Sequence, residues 1–471
     1  MISTEHVILV QVGTDSIFRE TVQTRYNDLP PMGLITLAGF LQANGYTVKV
    51  IDLLTEDHSV DTFEAELRSW EASPLLIGLS LYTETADAGL EMAGIIKRWF
   101  PDTAIAVGGP HPAFQAEQML AESEIDYVIC GEGEATLLEL LECLKWGAPA
   151  RNAIPGLIYR DASGCITANP SRPQMRELDL LPFPAYELYP VRQDKFNVVS
   201  SRGCPGKCLF CSSRAFSGSI YRMHSAEWLI SLIFHYRKLF TFSLLELMDD
   251  TFTVNRERTK RFCALLRETH LEVRIRIKSR IDFISEEVIA PLAAAGCETI
   301  HIGVESADKE VLESISKGQT PDDILRAVEI LTRYGIRIDA SFMVGHPTDT
   351  LQTIEKTVIM AATFKRIGNA YMAISTPYPG TGLHQRAVEY GMTIAVKSFR
   401  MYNTLTPIYY TANFTFNDLR RAFSAFHTYS AAQLREMAIL TNNRHEEYWK
   451  RMDAWVDNIH SLNDQRVGRP G

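Results

Sequence analysis

Nowhere in its 471 residues does this chain carry an apolar run approaching the roughly 20 residues needed to cross a bilayer. Its opening, MISTEHVILVQVG, has no basic region, no long apolar core and no small-residue cleavage site, so no secretory leader is expected and the chain reads as cytoplasmic. Positive charge is also scarce: 47 Lys and Arg against 57 Asp and Glu leave a net charge of −10. That argues against a nucleic-acid partner, because neutralising phosphates takes clustered cations. No GxGxxG follows the first apolar run and no GxxxxGK[ST] occurs anywhere, which disfavours the ordinary dinucleotide and P-loop modes of nucleotide binding. Cysteine is sparse, eight in all. Five of these, Cys130, Cys143, Cys165, Cys263 and Cys297, are scattered through apolar or helical contexts and read as small hydrophobes in a reducing compartment.

The other three stand together. In SSRGCPGKCLFC, Cys204, Cys208 and Cys211 fall within eight residues at CxxxCxxC spacing, and Gly203, Pro205 and Gly206 forbid regular helix or strand between them. Three thiolates on one loop make a metal site, yet tetrahedral zinc and most iron–sulfur clusters take four protein ligands. Either a fourth ligand comes from elsewhere, as in a zinc knuckle, or one coordination position is left open.

At this length two or three domains are expected, since single cores stop growing at roughly 250–300 residues. In the first part, HVILVQVG, YTVKVIDL, LLIGLSLYT, TAIAVGGP and IDYVICGE are apolar runs suited to strands buried on both faces, and helical segments separate them. They predict a doubly wound, parallel five-stranded sheet, whose ligand sits beyond the carboxyl ends of the strands. The loops there are Ser80-Leu81-Tyr82-Thr83, Gly108-Gly109-Pro110-His111-Pro112 and Gly131-Glu132-Gly133-Glu134. Their glycines would let backbone approach a large ligand, although each taken singly also suits plain turn chemistry. A hairpin around Asp161–Gly164 and a proline-rich segment form a connector over 148–194.

From 195 the alternation restarts, with six strand-like segments and the helices between them predicting a partial (β/α)6 barrel over 195–390. The strand ends carry the cysteine loop, Asp249-Asp250, Ser279-Arg280, Gly303-Val304-Glu305-Ser306, Gly345-His346-Pro347 and Thr376–Thr381. The tail, 391–471, loses the alternation; Leu419, Ala422, Phe423, Phe426 and Leu434 recur at near-helical spacing after an expected N-cap at Asn417. It reads as a helical lid whose aromatic segment FRMYNTLTPIYYTANF walls a substrate pocket, with the final QRVGRPG outside the fold.

The cysteine loop resembles the signature of the radical S-adenosylmethionine (SAM) superfamily. The order of PPMGLITLAGFLQANGYTVKVIDL, VGGPHPAF, DYVICGEGE, MDDTF, GVES and TPYPGT resembles its cobalamin-dependent branch, with residues 1–147 as the cobalamin-binding domain. The resemblance implies a [4Fe–4S] cluster on Cys204, Cys208 and Cys211 whose open iron takes SAM and cleaves it to a 5′-deoxyadenosyl radical. It implies SAM contacts at Phe210, Asp249, Asp250, Arg280, Glu305 and Ser306. Cobalamin contacts are implied at Ser80, Tyr82, Gly108, Gly109, His111, Gly131 and Gly133. One departure stands out: where methionine-synthase-type domains carry DxHxxG, this chain reads GTDSIFRETVQ, and Asp57-His58 lies in the wrong context, so cobalt lacks a histidine from that position.

The implied activity is methyl transfer to an unactivated carbon of a small-molecule or lipid substrate, with electrons from a flavodoxin or ferredoxin. Ring formation or rearrangement is the alternative within the branch. A tRNA methylthiotransferase would need Cys130, Cys143 and Cys165 to hold a second cluster, and a non-catalytic corrinoid or zinc protein is the reading from outside enzymology.

Overall fold

The computed structural model describes residues 6–13, 30–54, 60–122, 124–189, 194–441, 443 and 445–467. The stretch after the first strand in which DxHxxG is missing, the pair Asp57-His58 and the last four residues lie outside them. The chain forms two compact units, 1–193 with 398–400, and 194–397 with 401–471.

In the first unit, β1 (His6–Gln11), β2 (Thr47–Asp52), β3 (Leu76–Ser80), β4 (Ala104–Gly108) and β5 (Tyr127–Ile129) are parallel, in the order β2-β1-β3-β4-β5. Alternate side chains of one strand feed two cores. Ile8 and Val10 pack with Phe63, Leu67, Met92 and Ile96 on one face, and Val7 and Leu9 with Leu34, Ala38, Leu41, Leu137 and Leu140 on the other. Burial on both faces is what makes the strands read as continuous apolar runs. The order reverses between β1 and β3, so the crevice for a ligand lies at the carboxyl ends of those two strands.

The stretch expected as a connector extends this sheet. β6 (Leu157–Arg160) and β7 (Ile166–Ala168) run antiparallel beyond β5 and bring the sheet to seven strands. Asp161 Oδ1 accepts hydrogen bonds from Ser163 N (2.8 Å) and Cys165 N (3.1 Å) and so closes the turn between them.

In the second unit, β8 (Lys195–Val198) is followed by a short antiparallel ribbon, β9 (Ser201–Arg202) with β10 (Arg222–Met223), which brackets the cysteine loop. Then come β11 (Leu244–Leu247), β12 (Arg274–Ser279), β13 (Cys297–Glu305), β14 (Arg337–Val344) and β15 (Asn369–Ile374). These pair in parallel as β8-β11-β12-β13-β14-β15 and leave β8 and β15 at the edges, an open six-stranded barrel. Ile275, Ile277, Ile302, Val304, Ala340 and Phe342 line its dry, helix-covered face. The residues that alternate with them, Lys278, His301, Ser341 and Tyr371, remain half-buried or exposed on the inner face.

The tail is helical over Phe416–Thr428, Ala431–Glu436 and Glu446–Val467 and packs on barrel helices Pro321–Arg333 and Leu351–Phe364, with Trp455 against Phe364 at 5.4 Å between ring centroids. The N-cap is Thr415 rather than Asn417. Thr415 and Asp418 form a reciprocal capping box, whereas Asn417 already lies inside the helix. Gln465–Val467 belong to the last helix and not to a loose end.

Candidate functional site

The cysteine loop is fixed by its own backbone. At Gly203 φ is +82° and an added Cβ would stand 2.2 Å from Ile220 O, so only glycine lets the loop pass under β10. Cys204 is buried, donates its N–H to Gly218 O (3.2 Å) and places Sγ 3.7 Å from Thr251 Oγ1. Cys208 Sγ accepts a hydrogen bond from Arg280 Nη1 (3.1 Å). Cys211 caps the helix Ser212–Ser217 through its sulfur, which accepts from Arg214 N at 3.4 Å. Burial pushes the Cys211 thiol up to about 11, and Asp250, Cys208 and Cys204 act in the same direction. Metal binding would displace that proton, since the ligand is the thiolate.

Among the described residues no three ligating side chains already stand at metal-binding spacing, and no fourth Cys, His, Asp or Glu completes a cage around the loop. Three soft donors on one loop, one of them hydrogen-bonded by a guanidinium, are a donor set that suits an iron–sulfur cluster. Cys130, Cys143 and Cys165 lie after β5, inside the helix Gly133–Trp146 and in the β6–β7 turn, on three different elements.

The other expected SAM residues divide into two groups. Asp249 is consumed by the scaffold: Oδ1 accepts from Ser200 N (2.5 Å) and Ser201 N (3.0 Å), Oδ2 from Ser200 Oγ (2.6 Å), and Arg258 Nη1 is 3.8 Å away. It holds the chain entering the cysteine loop. Ser306 also turns into the protein. It is fully buried, and its hydroxyl accepts from Asp308 N (3.1 Å) and meets Thr357 Oγ1 (3.3 Å).

Asp250, Arg280, Glu305 and Phe210 remain at the strand ends. Asp250 keeps open surface although protein crowds it on most sides; burial raises its carboxyl, against a Ser213 hydrogen bond and the charge of Lys278. Arg280 joins Asp282 (2.9 Å), Lys317 O (2.7 Å) and Cys208 at once, so pairing with Asp282 does not take it away from the loop. Glu305 adopts φ +67° at a register shift in β13, rare for a residue with a side chain, and is bound to Lys317 Nζ at 2.7 Å. Burial works to lower the Lys317 pKa, but Glu305 and Cys208 reverse this and it ends above its ordinary value. Phe210 lies 5.6 Å from the His346 ring and 5.9 Å from Lys317 Nζ.

Sequence reasoning missed two groups. Lys317, in the loop SISKGQT, gave no signal, because its partner is twelve residues away across a turn. His346 was visible only as an unusual strand end. It is fully buried, neither ring nitrogen has a partner, and burial, with Lys317, pushes its pKa down to about 3.

In the first unit, Ser80 ends β3 and the ring of Tyr82, 41% exposed, stands beside it at the crevice. The glycines serve different ends. Gly109 (φ +102°) is required by the protein itself, since a Cβ would stand 2.8 Å from Leu81 O; Gly108 and Gly133 meet neighbours at 3.8 and 3.2 Å. Only Gly131 (φ +80°) faces open space. His111 is buried, with its backbone N–H on Leu81 O (3.3 Å), Nδ1 3.4 Å from Thr83 Oγ1 and its ring edge-on to Phe399 at 4.6 Å; burial lowers its pKa to about 4.

Residues 19–141 match the B12 binding domain and residues 198–361 the Radical SAM superfamily. A protein named an uncharacterized methyltransferase, from Pyrococcus horikoshii, is 32% identical over 434 residues, covering 89% of this chain and 92% of its own length. The chain belongs to the cobalamin-dependent radical SAM family. It is an enzyme, and its cofactors are those of the family: an iron–sulfur cluster, SAM and cobalamin. This radical SAM enzyme is also 30% identical over 392 residues to an anaerobic magnesium-protoporphyrin IX monomethyl ester cyclase of Rubrivivax gelatinosus, covering 80% of this chain and 69% of that one. Its fold is shared with the radical SAM methyltransferase TsrM from Kitasatospora setae, solved with cobalamin and a [4Fe–4S] cluster, at a TM-score of 0.72 and 17% identity over 98% of this chain and 100% of that one. Among the described residues no helix is long and apolar enough to cross a membrane.

Proposed function

We propose that this enzyme methylates an unactivated carbon of a small-molecule or lipid substrate, with a [4Fe–4S] cluster held by Cys204, Cys208 and Cys211. The observation that carries this reading is a CxxxCxxC loop at the carboxyl edge of a barrel, in a chain that also bears a B12-binding domain. When bound, the cluster supplies the electron that breaks a sulfonium bond of SAM, and cobalamin supplies a carrier for a methyl group.

The protein's own part is to bind, orient and shield. Arg280 donates a hydrogen bond to Cys208 and so holds that sulfur in place. Asp249 fixes the approach to the loop. Phe210 offers a ring face to adenine, and neutral His346 offers one donor and one acceptor to a polar edge of SAM. Asp250 is left open to receive the positive end of SAM or a polar group of the substrate. Ser80, Tyr82 and the open turn at Gly131 hold the corrinoid. A cytoplasmic setting and a flavodoxin or ferredoxin as electron donor belong to the same reading.

Anaerobic reconstitution with iron, sulfide, cobalamin, SAM and a low-potential reductant tests it. Formation of both 5′-deoxyadenosine and S-adenosylhomocysteine, lost on Cys208→Ala, is the expected result; the appearance of neither with any candidate substrate contradicts it. A second reading, ring formation, is favoured by the 30% identity to the Rubrivivax cyclase. It predicts 5′-deoxyadenosine without S-adenosylhomocysteine.

A further inference from the structure

Closed (β/α) barrels pack their interior with layers of Val, Ile and Leu. Here the strand register writes a polar interior instead. Lys278 on β12 is the direct neighbour of His301 on β13, which neighbours Asp339 on β14; one layer towards the carboxyl edge, Gly303 neighbours Ser341, and Ser341 neighbours Tyr371 on β15. His301 Nε2 is 2.6 Å from Ser341 Oγ, and the Tyr371 ring, 43% exposed, lies nearly parallel to the imidazole at 5.9 Å.

Among the described residues the cations of this region are bound to carboxylates, with one exception. Arg276 is bound to Glu298 (2.7 Å), Arg280 to Asp282 (2.9 Å) and Lys317 to Glu305 (2.7 Å), while Asp339 accepts from Asn369 (2.8 Å). Lys278 is half-buried, and among the described residues no carboxylate or other acceptor lies within bonding distance of its ammonium. Asp250 feels its charge but is hydrogen-bonded by Ser213, beyond ion-pair reach of Lys278. A cation partly withdrawn from water and left without a partner is free to bind an incoming anion. Burial and the charge of Lys278 lower the His301 pKa, against the charges of Asp339 and Glu305, and the ring has a second nitrogen besides the one that meets Ser341.

We propose that Lys278 and His301 form an anion-binding subsite inside the barrel, for a substrate that carries a carboxylate or phosphate group and lays its adjoining, flat or apolar part against Tyr371. This rests on the enzymatic reading above and names its substrate class. Ser341 is a positioning residue, holding the imidazole by its Nε2.

Equilibrium dialysis of the reconstituted full-length enzyme against phenyl phosphate, benzoate and neutral benzyl alcohol tests the subsite. The wild type should bind at least one anion about tenfold more tightly than the alcohol, which corresponds to about 1.4 kcal/mol. Lys278→Met should lose that preference, Lys278→Arg should keep it to within about threefold, and alcohol binding should not change in either. Whichever anion binds more tightly identifies the group. Equal affinity of the three probes for the wild type, or undiminished anion binding by Lys278→Met, overturns the proposal. Should Lys278→Met not fold, Lys278→Gln carries the same expectation. Iron and sulfide content is read on the same samples: a wild type that binds anions but assembles no cluster would sink the radical reading and leave the subsite standing.

Discussion

Replacing His346 by leucine should make the protein more stable and its hold on SAM weaker. The imidazole is fully buried, neutral, and without a partner at either nitrogen. Leaving a buried polar group unsatisfied costs about 1–3 kcal/mol. Leucine removes that cost but also removes the ring contact with Phe210 at 5.6 Å, worth about 0.5–1.5 kcal/mol for an aromatic pair. The net gain is about 1 kcal/mol, which at an m-value of about 2 kcal/mol/M raises the urea midpoint by about 0.5 M. SAM loses a hydrogen bond whose net worth is about 0.5–1.5 kcal/mol, so its affinity should fall roughly 2- to 13-fold. Urea unfolding without SAM and equilibrium dialysis with it read the two effects separately. Their opposite signs are the diagnostic: a leucine variant with a lower midpoint and unchanged SAM affinity would make His346 an ordinary core residue and refute the reasoning.

Asp249→Ala should abolish cluster assembly without touching a ligand, because it strands the buried Ser200 and Ser201 N–H groups at about 1–3 kcal/mol each; iron and sulfide content after reconstitution checks this. Asp349, buried beneath Gly345 and His346, titrates near 7, since burial outweighs its hydrogen bonds. Its unfolded value is about 3.9. Between those values the folded chain keeps a proton that the unfolded chain releases, so this group's contribution to stability falls as pH rises from about 4 to 7. Asp349→Asn should flatten that slope in urea midpoints measured from pH 5 to 8. Gly131→Ala should cost about 1–2 kcal/mol for left-handed backbone alone, and Gly109→Ala more, because its Cβ also meets Leu81 O at 2.8 Å; comparing the two midpoints decides whether Gly109 serves the fold.

The parallel strands of the first unit were legible because burial on both faces leaves unbroken apolar runs, as in HVILVQ, and those of the second because apolar and polar residues alternate, as in RIDASFMV. The cysteine loop was legible because Cys204, Cys208 and Cys211 sit close together on a segment that Gly203, Pro205 and Gly206 keep irregular, an arrangement that suits a metal and little else. What stayed hidden depends on pairings that spacing does not encode. Whether the Leu157–Ala168 hairpin stands free or extends the sheet is decided by contacts with Tyr127–Ile129, about thirty residues upstream. Asp249 and Asp250 are adjacent in MDDTF, yet one carboxylate turns into the scaffold and the other stays open, a difference set by Ser200, Ser201 and Arg258. The capping box at Thr415 was present in the sequence as TFND, and reading Asn417 as the cap overlooked it. The glycine loops gave a mixed signal because a turn and a ligand approach ask for the same residue, and only the open space at Gly131 against the crowding at Gly109 separates them.

The central claim is that Cys204, Cys208 and Cys211 leave one iron of a four-iron cluster open to SAM. Electron–nuclear double resonance on the reduced, reconstituted enzyme with SAM labelled by nitrogen-15 in the amino group and oxygen-17 in the carboxylate tests it directly. Hyperfine couplings from both labels, absent in Cys208→Ala, are predicted; an intact four-iron cluster that shows neither coupling would contradict it.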